Sequence, residues 1–193
     1  MAPLLLAAFP PELAGLDAAP PPGWRVATTG VGAVAAAAAT ARLVAELRPA
    51  RVLFVGTCGA YDDRLSVLDL VAVRAAIATS LDELEGRAYR PSLEQVRFEA
   101  TWALPGLRAH DVAVPPAITR TAEGAARLAT VAAAEHLELT GVLAACRGAG
   151  VPVAAALAVA NRVGPAAHEE WRANHARASR ALVEALAPVL AAP

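Results

Sequence analysis

The sequence predicts a single α/β domain over residues 1–193, built on a largely parallel or mixed sheet. Three observations lead there. Short apolar runs alternate along the chain with segments of helical character. Glycine-rich breaks follow two of those runs, at Gly30-Val31-Gly32 and at Gly56-Thr57-Cys58-Gly59. The last long segment, Ala167–Leu190, is amphipathic, with charges at Glu169, Glu170, Arg172, Arg177, Arg180 and Glu184.

Taken in order, Leu4–Phe9 reads as a short buried strand stopped by Pro10-Pro11, with Glu12 where a helix would begin. Ala18–Gly23 is a loop, Trp24–Thr29 a second strand, and Ala33–Leu47 a helix closed by Arg48-Pro49. Arg51–Val55 is a third strand running into the Gly56–Gly59 turn, and Asp69–Thr79 alternates toward a fourth. Ser80–Asp111 is the most polar and least regular part, with a strand over Val96–Trp102. Val112–Arg120 reads as a strand interrupted by Pro115-Pro116, and Thr121–Ala134 as a helix. Gly141–Gly150 is a further helix, packing Leu143 and Cys146 and exposing Arg147, and Val151–Val159 is a buried strand.

Composition bounds what such a domain does. Hydrophobic residues make up 56% of the chain and charged ones only 18%, apolar enough to suggest a buried subunit interface in a homodimer or larger homo-oligomer. A net charge of −1 offers no basic face, which argues against nucleic acid as a partner. Met1–Leu16 lacks a basic start and is not read as a secretory signal. No segment carries the ~20 uncharged apolar residues of a membrane span. Cys58 and Cys146 fit a reducing cytoplasm, and neither they nor the four histidines show metal-ligand spacing, so no metal or cofactor is expected.

Several residues stand out chemically. Glu138 lies in an apolar stretch where a strand turns into a helix, and Asn161 lies at the carboxyl end of the next strand, where open α/β sheets bind ligands. Glu138 also fits a first-turn helix acid, and Asn161 a turn residue. Glu12, set directly after a strand, fits either a base or a helix-start carboxylate. Gly30–Ala35 satisfies the dinucleotide pattern formally, but the next strand ends in Gly56 and not in a ribose-binding acid. A tight strand-to-helix turn is the better-supported reading there. Gly56–Gly59 reads as a backbone cradle for a flat ligand with the Thr57 hydroxyl as a handle. Cys58 has no histidine partner that would make it a nucleophile.

Taken together these pieces resemble the nucleoside phosphorylase and nucleosidase superfamily. The similarity covers Leu4–Gly59 and Ile118–Gly164. It rests on the first strand with Glu12, the GVG turn and alanine-rich helix, the GTCGA segment, LELT at Leu137–Thr140, and the strand ending in Ala160-Asn161. The resemblance implies a three-layer fold, with a central mixed β-sheet wrapped by helices, and cleavage of a ribose–base bond. It makes Glu138 the acid that grips the ribose hydroxyls, since a carboxylate accepts two hydrogen bonds at once. Leu137 would pack against the sugar, Glu12 would activate the attacking water, and Thr57, Cys58 and Gly59 would flank sugar and base.

Asn161 takes the place of an aspartate that protonates the leaving purine in adenine-releasing members. An amide donates a hydrogen bond but delivers no proton. Asn161-Arg162-Val163-Gly164-Pro165, followed by Trp171, resembles the futalosine hydrolases of an alternative menaquinone pathway. The expected activity is hydrolysis of futalosine to hypoxanthine and dehypoxanthine futalosine. The rivals are a purine nucleoside phosphorylase, another nucleosidase, or a nucleoside-binding protein with weakened turnover.

Overall fold

The longest apolar runs show no simple alternation because both faces of their strands are covered. In β1 (Leu4–Ala7), Leu4 and Leu6 enter one core cluster, and Leu5 and Ala7 enter another on the opposite face. The same division splits β3 (Val52–Ala60) and β8 (Val153–Arg162), where Phe54 and Leu157 face one side and Leu53 and Ala158 the other. Helices α1 (Ala33–Leu47) and α4 (Leu139–Gly148) supply the first cluster, and α5 (Ala167–Ala185) supplies the second. The result is a three-layer α/β arrangement around a mixed sheet. The computed structural model describes residues 1–16 and 20–192.

The remaining strands are β2 (Arg25–Thr28), β4 (Leu70–Ala78), β5 (Arg97–Glu99), β6 (Arg108–Val114) and β7 (Ala134–Glu135). β1 runs parallel to β2 and β3, and β3 runs parallel to β8. β8 meets β4 antiparallel, β4 meets β6 parallel, and β7 bridges β6 back to β3. The hydrogen bonding therefore closes a circuit β3–β8–β4–β6–β7, which no local sequence pattern announces. Two shorter helices, α2 (Leu81–Leu84) and α3 (Ala122–Ala129), and a final turn α6 (Ala187–Leu190) complete the described residues.

Several boundaries depart from expectation. Gly56–Gly59 is not a turn: β3 continues through it to Ala60, paired with β8 on one side and β7 on the other. The ladder shifts register between Cys58 and Gly59. The strand expected over Val112–Arg120 lies earlier, at Arg108–Val114, because Pro115 ends its ladder. The helix after it stops at Ala129, and Ala134 belongs to β7, a strand too short for sequence periodicity to register. β8 extends past Val159 to include Asn161 and Arg162. The terminal helix is divided into α5 and α6. In the polar middle segment only Arg97–Glu99 of Val96–Trp102 is strand. Of the loop expected at Ala18–Gly23, Ala18 and Ala19 lie outside the described residues.

One close helix contact depends on a single glycine. A Cβ on Gly141 would lie 2.1 Å from the Ala33 carbonyl oxygen, so only glycine lets α4 approach the start of α1 this closely. Two helix N-termini are thereby brought together, with Gly32 ahead of α1 and Glu138 ahead of α4.

Candidate active site

A cleft of about 280 Å³ opens at the carboxyl ends of β1, β3 and β8. That is near the lower end of the ~300–1,000 Å³ usual for small-molecule pockets. Glu12, Thr57, Cys58, Gly59, Leu137, Glu138 and Asn161 all line it. The seven residues singled out in the sequence thus meet around one space, although they come from four separate stretches of chain. No arginine or lysine lines it among the described residues.

Glu12 is placed by the 3₁₀ turn Pro10–Leu13, which follows β1 and starts on two prolines whose fixed φ suits such a turn. Its carboxylate is 4% exposed. Oε2 accepts the Ala8 N–H at 3.1 Å, and Oε1 accepts the Thr57 N–H at 2.8 Å and the Thr57 hydroxyl at 2.9 Å. Trp171, from α5, donates its indole N–H to the same hydroxyl oxygen at 3.1 Å. An indole can only donate and an ionised carboxylate can only accept, so with Glu12 ionised the chain runs from Trp171 to Thr57 to Glu12. Burial raises the Glu12 pKa to about 7, the Thr57 bonds oppose the rise, and the charge of Glu138 adds to it.

Glu138 is the residue directly ahead of α4, at the helix's positive end, and its side chain caps no N–H of that helix. Oε1 accepts the Gly32 N–H at 2.7 Å, and Oε2 lies 3.1 Å from His136 Nδ1. Asn161 is held at the end of β8: its Nδ2 donates to the Arg162 carbonyl at 2.9 Å, and the Arg162 N–H donates to Glu170 Oε2 of α5 at 2.7 Å. The Arg162 guanidinium bonds the Asp62 and Leu65 carbonyls and the Asp63 carboxylate, so it points away from the cleft. Burial, helped by the charge of Glu12, pushes the Cys58 thiol far above its ordinary range, which leaves it a lining group and not a thiolate nucleophile.

The cleft also holds groups that the sequence does not single out. Gly32 contributes its backbone N–H, and its glycine-rich turn serves a carboxylate where the dinucleotide pattern would suggest a phosphate. Glu135 accepts the Tyr61 hydroxyl and the Thr119 N–H, each at 3.0 Å. His136 is 4% exposed, its ring edge-on to Phe54 with centroids 5.4 Å apart. A charged-polar pair directly before Leu137-Glu138 in an apolar stretch is the available signal for both. Trp171 stacks on His175 at 4.3 Å and lies near Phe9, so His175 is half-buried and not on a free helix face. Arg51 lies over Trp24 and Trp102, 5.5 and 5.0 Å from their centroids, and does not line the cleft.

Comparison with known proteins agrees with the fold. The model of the phosphorylase superfamily matches residues 25–191. A futalosine hydrolase of Streptomyces coelicolor is 34% identical over 196 residues, covering 88% of this chain and 81% of that protein. A futalosine hydrolase mutant of Helicobacter pylori superposes with a TM-score of 0.81 at 17% identity, over 96% of this chain and 97% of that one. A 5′-methylthioadenosine/S-adenosylhomocysteine nucleosidase of Colwellia psychrerythraea, in complex with adenine, gives 0.80 at 18% identity, over 98% and 94%. The chain belongs to the phosphorylase superfamily.

Proposed function

We propose that this member of the phosphorylase superfamily is a nucleosidase, an N-ribosyl hydrolase that cleaves futalosine to hypoxanthine and dehypoxanthine futalosine. The observation that carries the reading is Glu12: a buried carboxylate held by Ala8 and Thr57, with its pKa at about 7, in a cleft lined by no arginine or lysine among the described residues. Such a group takes a proton from water near neutral pH and repels an incoming phosphate. The 34% identity to the Streptomyces futalosine hydrolase supports the substrate.

The ribose–base bond breaks with its electron pair going to the base, through an oxocarbenium-like transition state. Water forms the new bond to the anomeric carbon and gives a proton to Glu12; the base anion then takes up a proton from solvent as Glu12 releases its own, which restores the carboxylate. Glu138 Oε2 accepts a sugar hydroxyl, and Leu137 packs against the sugar. Thr57, Cys58 and Gly59 flank sugar and base. Asn161 donates a hydrogen bond to the departing base, which suits an oxopurine that spreads negative charge over its ring. The unit acts in the cytoplasm as a homodimer or larger homo-oligomer. Val31 and Ile118, each 61% exposed at the mouth of the cleft, and Val34, 86% exposed beside them on α1, support a subunit contact there. No helix of the described residues is long and apolar enough to cross a membrane.

The test is base release by the purified protein from a panel of futalosine, inosine, adenosine and 5′-methylthioadenosine. Futalosine is expected to have the highest kcat/KM. Preference for an adenine nucleoside would overturn the substrate, and binding without release from any of them would leave a nucleoside-binding protein.

A further inference from the structure

His136 is a buried titratable group in the cleft to which no role has yet fallen. Its Nδ1 accepts the Glu138 N–H at 3.1 Å and also lies 3.1 Å from Glu138 Oε2. One nitrogen cannot accept the first and donate to the second. The Glu138 N–H has no other acceptor among the described residues, and a buried N–H left unpaired is costly. Burial also holds the imidazole below its usual pKa, so the ring is neutral at pH 7. Nδ1 is therefore the acceptor, and the ring hydrogen sits on Nε2.

Nε2 and the second acid approach the same point. A Cβ placed on Gly56 would lie 3.1 Å from His136 Nε2 and 3.2 Å from Glu12 Oε1, so both groups border the small gap that this glycine leaves in β3. We infer that His136 is a positioning residue that couples the two carboxylates, anchoring the Glu138 backbone through Nδ1 and presenting its Nε2–H across the Gly56 gap to ionised Glu12. The other ionisable groups facing Glu12 are Glu138 and the un-ionised Cys58, and His168 of α5 lines the same cleft. His136 is thus a buried neutral donor near a carboxylate whose Ala8 and Thr57 partners favour its ionised form while burial and the charge of Glu138 favour protonation. The inference rests on the hydrolase reading for its catalytic meaning, but its geometry can be tested without turnover.

The experiment is an NMR titration of the ligand-free full chain, with ¹⁵N-labelled histidine and ¹³C-carboxyl-labelled glutamate. Signals are assigned with the His136→Asn and Glu12→Gln variants. In the wild type at pH 7, His136 is expected to show a bare Nδ1 and a protonated Nε2. An asparagine keeps an acceptor where Nδ1 lies but has nothing at Nε2, so in His136→Asn the Glu12 midpoint is expected to rise by about one pH unit, for the loss of the N–H dipole beside the charge. A glutamine reaches the Nε2 position and lacks the Nδ1 acceptor, so His136→Gln should keep the Glu12 midpoint within about 0.3 unit. In turnover, the acid limb of kcat/KM should move with the Asn variant, and KM should rise chiefly with the Gln variant. A protonated Nδ1 at pH 7, or a Glu12 midpoint unmoved in His136→Asn, would overturn the inference even if base release is normal. Absence of base release in the wild type would instead count against the hydrolase reading and leave the titration result standing.

Discussion

The two ends of the cleft are built differently. At the acid end, Glu12 takes three hydrogen bonds, Thr57 is fixed by Trp171, and Glu138 is fixed by Gly32 at the meeting of two helices. Elsewhere in the cleft, Asn161 makes a single described side-chain bond, to the neighbouring Arg162 carbonyl. Preorganised groups lower a barrier because they need not rearrange as charge develops. The acid end is therefore suited to the shared chemistry of sugar and water. The amide end, with few constraints of its own, is suited to choosing the base.

The largest effect should come from the acid end. Replacing Glu12 by Gln removes the proton acceptor while keeping its size, and kcat should fall by roughly 10²–10⁴-fold with KM little changed. Turnover near the wild-type rate would reduce Glu12 to a helix-start carboxylate and erase the contrast between the two ends. Replacing Glu138 by Gln weakens the charged hydrogen bond to a sugar hydroxyl, and kcat/KM should fall by about 10–150-fold, matching ~1.5–3 kcal/mol. Saturation kinetics would register that loss.

At the amide end the expected effect is selective and smaller. Replacing Asn161 by Asp restores a group able to carry a proton, so the ratio of kcat/KM for adenine nucleosides over hypoxanthine nucleosides should rise by about tenfold, ~1.4 kcal/mol of leaving-group discrimination. An unmoved ratio would mean that the base is chosen elsewhere.

The pH dependence sharpens the same contrast with a defined sign. Glu12 must be ionised to accept a proton, so kcat/KM should fall as pH drops below about 7. Its folded pKa exceeds its unfolded value, so folding binds a proton here and stability should decline as pH rises from about 4.5 through about 7. Thermal melts across that window should show the slope in the wild type and a shallower one in Glu12→Gln.

What can be read from the chain alone depends on the physics of each signal. Helix α1 is legible to its last residue because Gly32 and Pro49 mark its ends. Glu12, Glu138 and Asn161 can be placed because each follows or ends an apolar run. Gly56–Gly59 reads as a turn because glycine marks both turns and close approach, and here close approach by His136 and Glu12 is what the strand requires. β7 is invisible to periodicity because two residues carry no period. The Trp171–Thr57–Glu12 chain joins side chains separated by 114 and 45 positions, and no local pattern encodes such a meeting.

Whether water or phosphate attacks the sugar is the point on which the proposed activity turns. It is tested most directly by following base release and sugar product from futalosine in phosphate-free buffer and again with phosphate added. Attack by water predicts the same rate in both buffers, with dehypoxanthine futalosine carrying a free anomeric hydroxyl as the product. Strict dependence on phosphate, with a sugar 1-phosphate as the product, would contradict it.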